Sequence, residues 1–162
     1  MITLDGYTCL TLFDRASRFI GVKEFAGAID HPLIMAWLKL TGDDSWTGWP
    51  EHDEVPWCSA AVNSWAWDLR LPRSKSLLAR SWLGVGRPIP LEEATAKNDI
   101  VILKRGGGNQ PGPENMTAPG HVGCFAGLEG GNVLVLGGNQ GDRVCIAPFP
   151  VERVLGVRRL LA

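Results

Sequence analysis

Asp99-Ile100-Val101-Ile102-Leu103 divides this chain into two halves with different hydrophobic periodicities. Four consecutive apolar side chains, two of them Ile and one Val, read as a buried strand. Before this stretch the apolar residues recur every three or four positions. Leu12, Ala16, Phe19 and Ile20 share a face of a helix predicted within residues 9–20, which Gly21 ends. Asp30-His31-Pro32 opens a second helix, with Pro near the first helical position and Asp or His as the cap. Its apolar stripe is Ile34, Trp37, Leu38 and Thr41, and Gly42 stops it. A third helix, about residues 56–69, carries Cys58, Ala61, Val62, Trp65 and Leu69 on one face and is closed by Pro72. After residue 99 a Gly-, Pro- and Asn-rich loop covers 106–119. Strands are predicted at 121–128, 133–136, 143–147 and 154–160, joined by turns such as Glu129-Gly130-Gly131-Asn132. Helices first and an antiparallel meander second predict an α+β fold. Without a repeat, linker or low-complexity tract, residues 1–162 read as a single domain.

Composition narrows the function classes. Sixteen basic and 17 acidic residues give a formal net charge of -1, without the basic footprint of a nucleic-acid binder. No apolar run approaches the roughly 20 residues that span a bilayer. The start, Met1-Ile2-Thr3-Leu4-Asp5, lacks a basic region followed by an apolar stretch, so synthesis in the cytoplasm without a secretory signal is expected. Cys9, Cys58, Cys124 and Cys145 are widely spaced and form no CxxC pair, which reads as reduced thiols.

Chemistry enters with Pro56-Trp57-Cys58-Ser59-Ala60-Ala61-Val62-Asn63, a cysteine at the start of the third helix. A free thiol has a pKa of about 8.5, so little of it is thiolate at neutral pH. The unpaired N–H groups of a helix start favour the thiolate and can hold the oxyanion formed when it attacks a carbonyl. A base is offered by Gly120-His121-Val122-Gly123. His121, Gly123 and Phe125 share one strand face, Val122, Cys124 and Ala126 the other, and the glycine beside His121 leaves room for the helix to approach. Gly137-Gly138-Asn139-Gln140-Gly141-Asp142, at the end of the next strand, offers Asn139 as the group that orients the base, with Gln140 and Asp142 as rivals. Cys, then His, then Asn is the kit of a cysteine hydrolase.

Ile20-Gly21-Val22-Lys23-Glu24, Pro56-Trp57-Cys58-Ser59-Ala60, Asn98-Asp99-Ile100-Val101, Gly120-His121-Val122-Gly123 and Gly138-Asn139-Gln140 resemble, in order, the motifs of the NlpC/P60 and CHAP cysteine peptidase superfamily. The likeness covers roughly residues 15–160 and is greatest to the small single-domain branch of phage lysins and peptidoglycan amidases. It implies a papain-like fold with N-terminal helices packed on an antiparallel β-sheet, and hydrolysis of amide bonds in peptidoglycan. Residue by residue it implies Cys58 as nucleophile, His121 as base and Asn139 as the third member. Two departures stand out. Asn98-Asp99 replaces the Gly-Asp of many relatives, and Gly137 and Gly138 stand where some carry Glu.

Trp57 and Trp82, with Trp46 and Trp49, are candidate apolar walls for a ligand, whereas Trp37, Trp65 and Trp67 read as core. Glu24 and Gln140 are further substrate-binding candidates, and Arg80, Arg87 and Lys104 are candidates for meeting substrate carboxylates. No cofactor or metal is expected. Asp43, Asp44, Asp53 and Glu54 are oxygen donors without a recognised calcium-loop spacing. Strand alternation sets His121 and Cys124 on opposite faces, against a zinc site with Cys58. The resemblance implies a monomer that acts in the periplasm or cell wall, as a phage endolysin released through a partner holin. The alternatives are a secreted interbacterial amidase with a cognate immunity protein, a papain-like acyltransferase or deamidase, and a noncatalytic wall-binding module.

Overall fold

A computed structural model describes residues 2–4, 7–27, 29–42 and 56–161. The chain is α+β, built on a six-stranded antiparallel sheet. A separate hairpin of β1 (Ile2–Leu4) and β2 (Tyr7–Cys9) precedes α1 (Leu12–Ser17), α2 (Pro32–Thr41) and α3 (Cys58–Asp68). The sheet comprises β3 (Arg87–Ile89), β4 (Asp99–Lys104), β5 (Gly120–Glu129), β6 (Asn132–Gly137), β7 (Cys145–Pro150) and β8 (Val154–Arg159). Its order is β3-β8-β4-β5-β6-β7, so β4 to β7 form a meander and the last strand inserts between β3 and β4.

Local chemistry sets the helix ends. Thr11 and Asp14 form a capping box at the start of α1, and the side chain of Asn98 accepts the Leu12 N–H at 2.8 Å. That bond ties the helix to the residue before β4. The regular helix stops at Ser17, short of the expected residue 20, and turns follow to Gly21, whose φ is +96°. In α2 the cap is His31, whose Nδ1 accepts the Leu33 N–H at 3.2 Å, and Gly42 ends the helix in the left-handed conformation.

The expected single apolar face of α3 is a departure. Every residue from Cys58 to Ala66 is buried. Periodicity fails because this helix is covered all round. Ser59 and Asn63 are satisfied internally, whereas the buried Ser64 Oγ and Trp65 Nε1 find no hydrogen-bond partner among the described residues. Ser59 Oγ donates to the Ser76 carbonyl at 2.6 Å and accepts from Trp82 Nε1 at 2.9 Å. Asn63 donates to the Ser59 carbonyl at 3.0 Å and accepts the Lys75 N–H at 2.9 Å. Phe19, Trp37 and Trp65 cluster against the helix with centroids 5.2–6.1 Å apart. Trp67, expected in the core, lies 52% exposed past the end of this cluster.

Both sheet faces are apolar. Ile100, Ile102, Val122, Cys124 and Leu136 join the helices in one core. Val101, Leu103, Phe125, Val133, Val135 and Val157 make a second core on the other face. Ile89 of the first outer strand and Phe149 of the opposite one join that second cluster. Bulges lie between Phe125 and Gly127 and between Ile102 and Leu103.

The close approach of α3 to the sheet is not at the glycines flanking His121. At Gly123 an added Cβ would press on Val135, Leu136 and Gly137 of β6, and at Gly120 on Arg80 and Ala79. It is Gly138, after β6, that receives the helix start: a Cβ there would overlap the Trp57 ring and lie 3.1 Å from the Ala61 methyl.

Candidate active site

Cys58 is the first residue of α3, and Trp57 before it supplies no side-chain cap. First-turn N–H groups are thus left for an incoming anion. The Trp57 indole instead donates to Glu24 Oε1 at 2.6 Å, and its ring is fully buried. Glu24 is itself held by the turn beyond β6: its N–H donates to the Asp142 carbonyl at 2.9 Å, and Lys23 pairs with Arg143. The nucleophile candidate is therefore anchored, through Trp57 and Glu24, to the same turn that carries Asn139 and Gln140.

His121 begins the other half of the site. The β5–β6 ladder starts only at Cys124 and Leu136, so residues 121–123 pair with β4 alone. Beside this one-sided stretch sits Cys58, whose sulfur interacts with the His121 ring and the Val122 backbone. On its far side the ring meets Gln140: Nε2 and Gln140 Oε1 are 2.9 Å apart. The Gln140 amide nitrogen donates to the carbonyls of Cys145 at 2.6 Å and Val135 at 3.2 Å. With its NH₂ so engaged, Gln140 turns its oxygen to the ring, and an oxygen can only accept. Hydrogen-bond bookkeeping thus places the hydrogen on Nε2 and leaves Nδ1 to exchange a proton with the thiol. Phe149 packs on the ring with centroids 5.3 Å apart.

Two opposing effects act on each member of the pair. Burial alone would push the Cys58 thiol up, but the His121 charge and hydrogen bond, the Val122 backbone and the more distant Arg105 bring it below its ordinary value. Burial alone would lower His121, but the Cys58 charge and hydrogen bond and the Gln140 bond raise it. Each shift is toward the charged form, thiolate for Cys58 and imidazolium for His121. Cys124, fully buried without such a partner, is pushed far up by desolvation and is an inert neutral thiol.

Other candidates fall differently. Asn139, expected to orient His121, has φ of +56° and makes no hydrogen bond to the ring among the described residues. Its left-handed backbone passes that task to the next side chain, Gln140, and Asn139 lines the adjoining cavity instead. Asp142 is exposed, with φ of +59°. Trp57 and Trp82 are fully buried and hydrogen-bonded to Glu24 and Ser59, so they are core and not ligand walls. Glu24 clamps Trp57 rather than standing ready for substrate. Arg80 is also fully buried. It donates to the carbonyls of Pro111, Gly112, Asn115 and Pro119 at 2.7–3.0 Å and so organises the long loop before His121. Arg87 is exposed on β3 and lines neither cavity at the site. Trp46, Trp49, Asp43, Asp44, Asp53 and Glu54 lie outside the described residues. Among the described residues no group of three His, Cys, Asp or Glu is placed to hold a metal ion.

Two cavities meet at the Cys58–His121 pair. One, of about 240 Å³, is lined by Cys58 and by Pro56, Leu77, Leu78, Ala79 and Pro119, among others. The other, of about 420 Å³, is lined by His121, Asn139 and Gln140 with Phe149, Lys104 and Arg153. Arg105 lines both. Of the three cations that line these cavities, Lys104, Arg105 and Arg153, the sequence reading singled out only Lys104. Pairing of Lys104 with Gly120 was the available signal, because it puts residue 105 beside the start of β5. No protein-family model matches the chain, and no curated protein matches it either.

Proposed function

We propose that this chain is a papain-like thiol hydrolase of the NlpC/P60–CHAP type that cleaves an amide bond of peptidoglycan. One observation carries the reading: a thiol at a helix start, an imidazole against it and an amide oxygen fixing that imidazole, all beside open cavities. The choice of peptidoglycan rests on the ordered motif resemblance.

In this mechanism the Cys58 thiolate attacks the amide carbon and a C–S bond forms. The N–H groups at the start of α3 receive the oxyanion. His121 gives its Nδ1 proton to the leaving nitrogen, and the C–N bond breaks. Water then adds to the thioester while His121 takes a proton from it. The C–S bond breaks, releasing the carboxylic acid and restoring the ion pair. Gln140 holds the ring in one tautomer throughout.

The test is release of new amines and shortened muropeptides from purified sacculi. Wild-type protein releases them, Cys58→Ala and Cys58→Ser release none while staying folded, and His121→Ala releases almost none. Wild-type turnover by Cys58→Ala would refute the nucleophile assignment, and binding without release would favour a noncatalytic wall module.

A further inference from the structure

The groove has two chemically different ends. On the Cys58 side the lining is mostly apolar, from Leu77, Leu78, Ala79 and Pro119. On the His121 side stand Lys104, Arg105 and Arg153, over Phe149 and Pro148. Among the described residues neither lining contains an Asp or Glu. Arg105 and Arg153 are exposed, and neither has a hydrogen-bond or ion-pair partner among the described residues. Three cations thus converge on a cavity with no carboxylate among its described lining residues, in a chain whose formal net charge is -1.

We propose that this end of the groove is an anion subsite, and that the substrate carries a free carboxylate on the His121 side of the scissile amide, received by Arg105 with Lys104 and Arg153 beside it. The inference rests on Cys58 and His121 being the reacting pair, and names the substrate class that pair would serve. Chemistry gives the direction. The acyl carbon bonds to Cys58 sulfur, whereas the leaving nitrogen takes its proton from His121 and so departs toward the imidazole. The amine half of the substrate is thus the half that bears the carboxylate, and a small apolar acyl half occupies the Leu77–Pro119 side. A planar guanidinium suits this role because it can meet both carboxylate oxygens at once. Phe149 lines the same cavity and offers an apolar surface beside the cations.

Alkylation of Cys58 tests this without a known substrate. Iodoacetate and iodoacetamide differ only in the carboxylate, and with either the thiolate displaces iodide to form one C–S bond. Labelling of each cysteine is followed by mass spectrometry at low ionic strength, with exposed Cys9 as the internal reference. At Cys58 the ratio of iodoacetate to iodoacetamide rates should exceed the Cys9 ratio by about tenfold, and this excess should collapse at about 1 M salt. Arg105→Gln should remove most of the excess, Arg153→Gln part of it, and Arg105→Lys should restore some. Arg87→Gln, outside the groove, should leave it intact. Equal ratios at Cys58 and Cys9, or an excess that survives in Arg105→Gln, would overturn the anion subsite while leaving the thiol assignment standing. Failure of both reagents to label Cys58 faster than Cys9 would overturn the thiol assignment itself.

Discussion

At the residue scale, the sequence singled out the thiol and the imidazole and preferred Asn139 as the partner of the imidazole, whereas its named rival Gln140 is the side chain that meets the ring. Asn139 and Gln140 are both amides, and turn chemistry favours Asn beside Gly. That preference is met, since Asn139 takes the left-handed conformation, and meeting it is what sends Gln140 back to the ring. No pattern of residue types distinguishes these outcomes, because they depend on where the turn reverses. Gln140→Ala should lower kcat by about tenfold to a hundredfold, between losing one oriented hydrogen bond and losing the base. Asn139→Ala should cost less. The pH profile separates orientation from mere packing. In the proposed mechanism the active form is thiolate with imidazolium, lost as pH falls through the lowered Cys58 pKa and as pH rises through the raised His121 pKa. The kcat/KM profile should therefore be a bell whose acid limb lies below the ordinary thiol range and whose alkaline limb lies above the ordinary imidazole range. Because the Gln140 bond contributes to raising His121, Gln140→Ala should move the alkaline limb down. An unmoved limb would reduce Gln140 to a packing residue.

At the scale of elements, all three expected helices are present, with α1 shortened, whereas the short strands β1, β2 and β3 were not expected and β7 lies two to three residues beyond the expected 143–147. β4 and β6 alternate between two apolar faces and β8 carries apolar residues, so their sequences announce them. β3 did not, because three residues with Pro at the centre carry too little pattern. The Gly- and Pro-rich loop at 106–119 read as flexible connection, yet Arg80, from a distant 3₁₀ turn (Ala79–Gly84), collects four of its carbonyls. A surface role for arginine was the natural expectation, and nothing local reveals a buried one. Hydrogen bonds to a charged group contribute about 1.5–3 kcal/mol each, but removing the guanidinium also removes its desolvation penalty. Arg80→Leu should destabilise the fold by about 3 kcal/mol in urea titration, as exposed carbonyls lose their donor. Limited proteolysis should then cut first within 106–119. Activity should fall with it, since Thr117, Ala118 and Pro119 line the Cys58 cavity. Unchanged protease resistance in that loop would show that the guanidinium does not hold it.

For the whole molecule, the insertion of β8 between β3 and β4 decides how the sheet is completed. A meander was expected, and a meander holds from β4 to β7, but the closing strand then crosses back to pair with β4, Val157 facing Val101 and Arg159 facing Asp99. Sequence separation hides such a pairing, because each strand of it looks the same wherever it sits. The join is also polar at one end. Asp99, almost fully buried, receives Arg159 Nε and Nη2, each at 2.8 Å, together with the Thr95 N–H at 2.7 Å. Removing the strand therefore strips a hydrogen-bond ladder from both β3 and β4, uncovers the Val101–Leu103 core and leaves a buried carboxylate without its cation. Each of these is costly, and a domain of this size has only about 5–15 kcal/mol of net stability. A chain ending at Arg153 should lose its cooperative unfolding transition and its near-ultraviolet circular dichroism, while a shorter deletion, of residues 161 and 162 alone, should unfold like the intact protein. Arg159→Leu offers the graded case: it should remain folded at neutral pH but with a lower urea midpoint, because Asp99 keeps Thr95 and loses its charge partner. A truncated chain that still unfolds cooperatively with the wild-type denaturant dependence would mean that β8 is peripheral, and the central position of that strand would have to be abandoned.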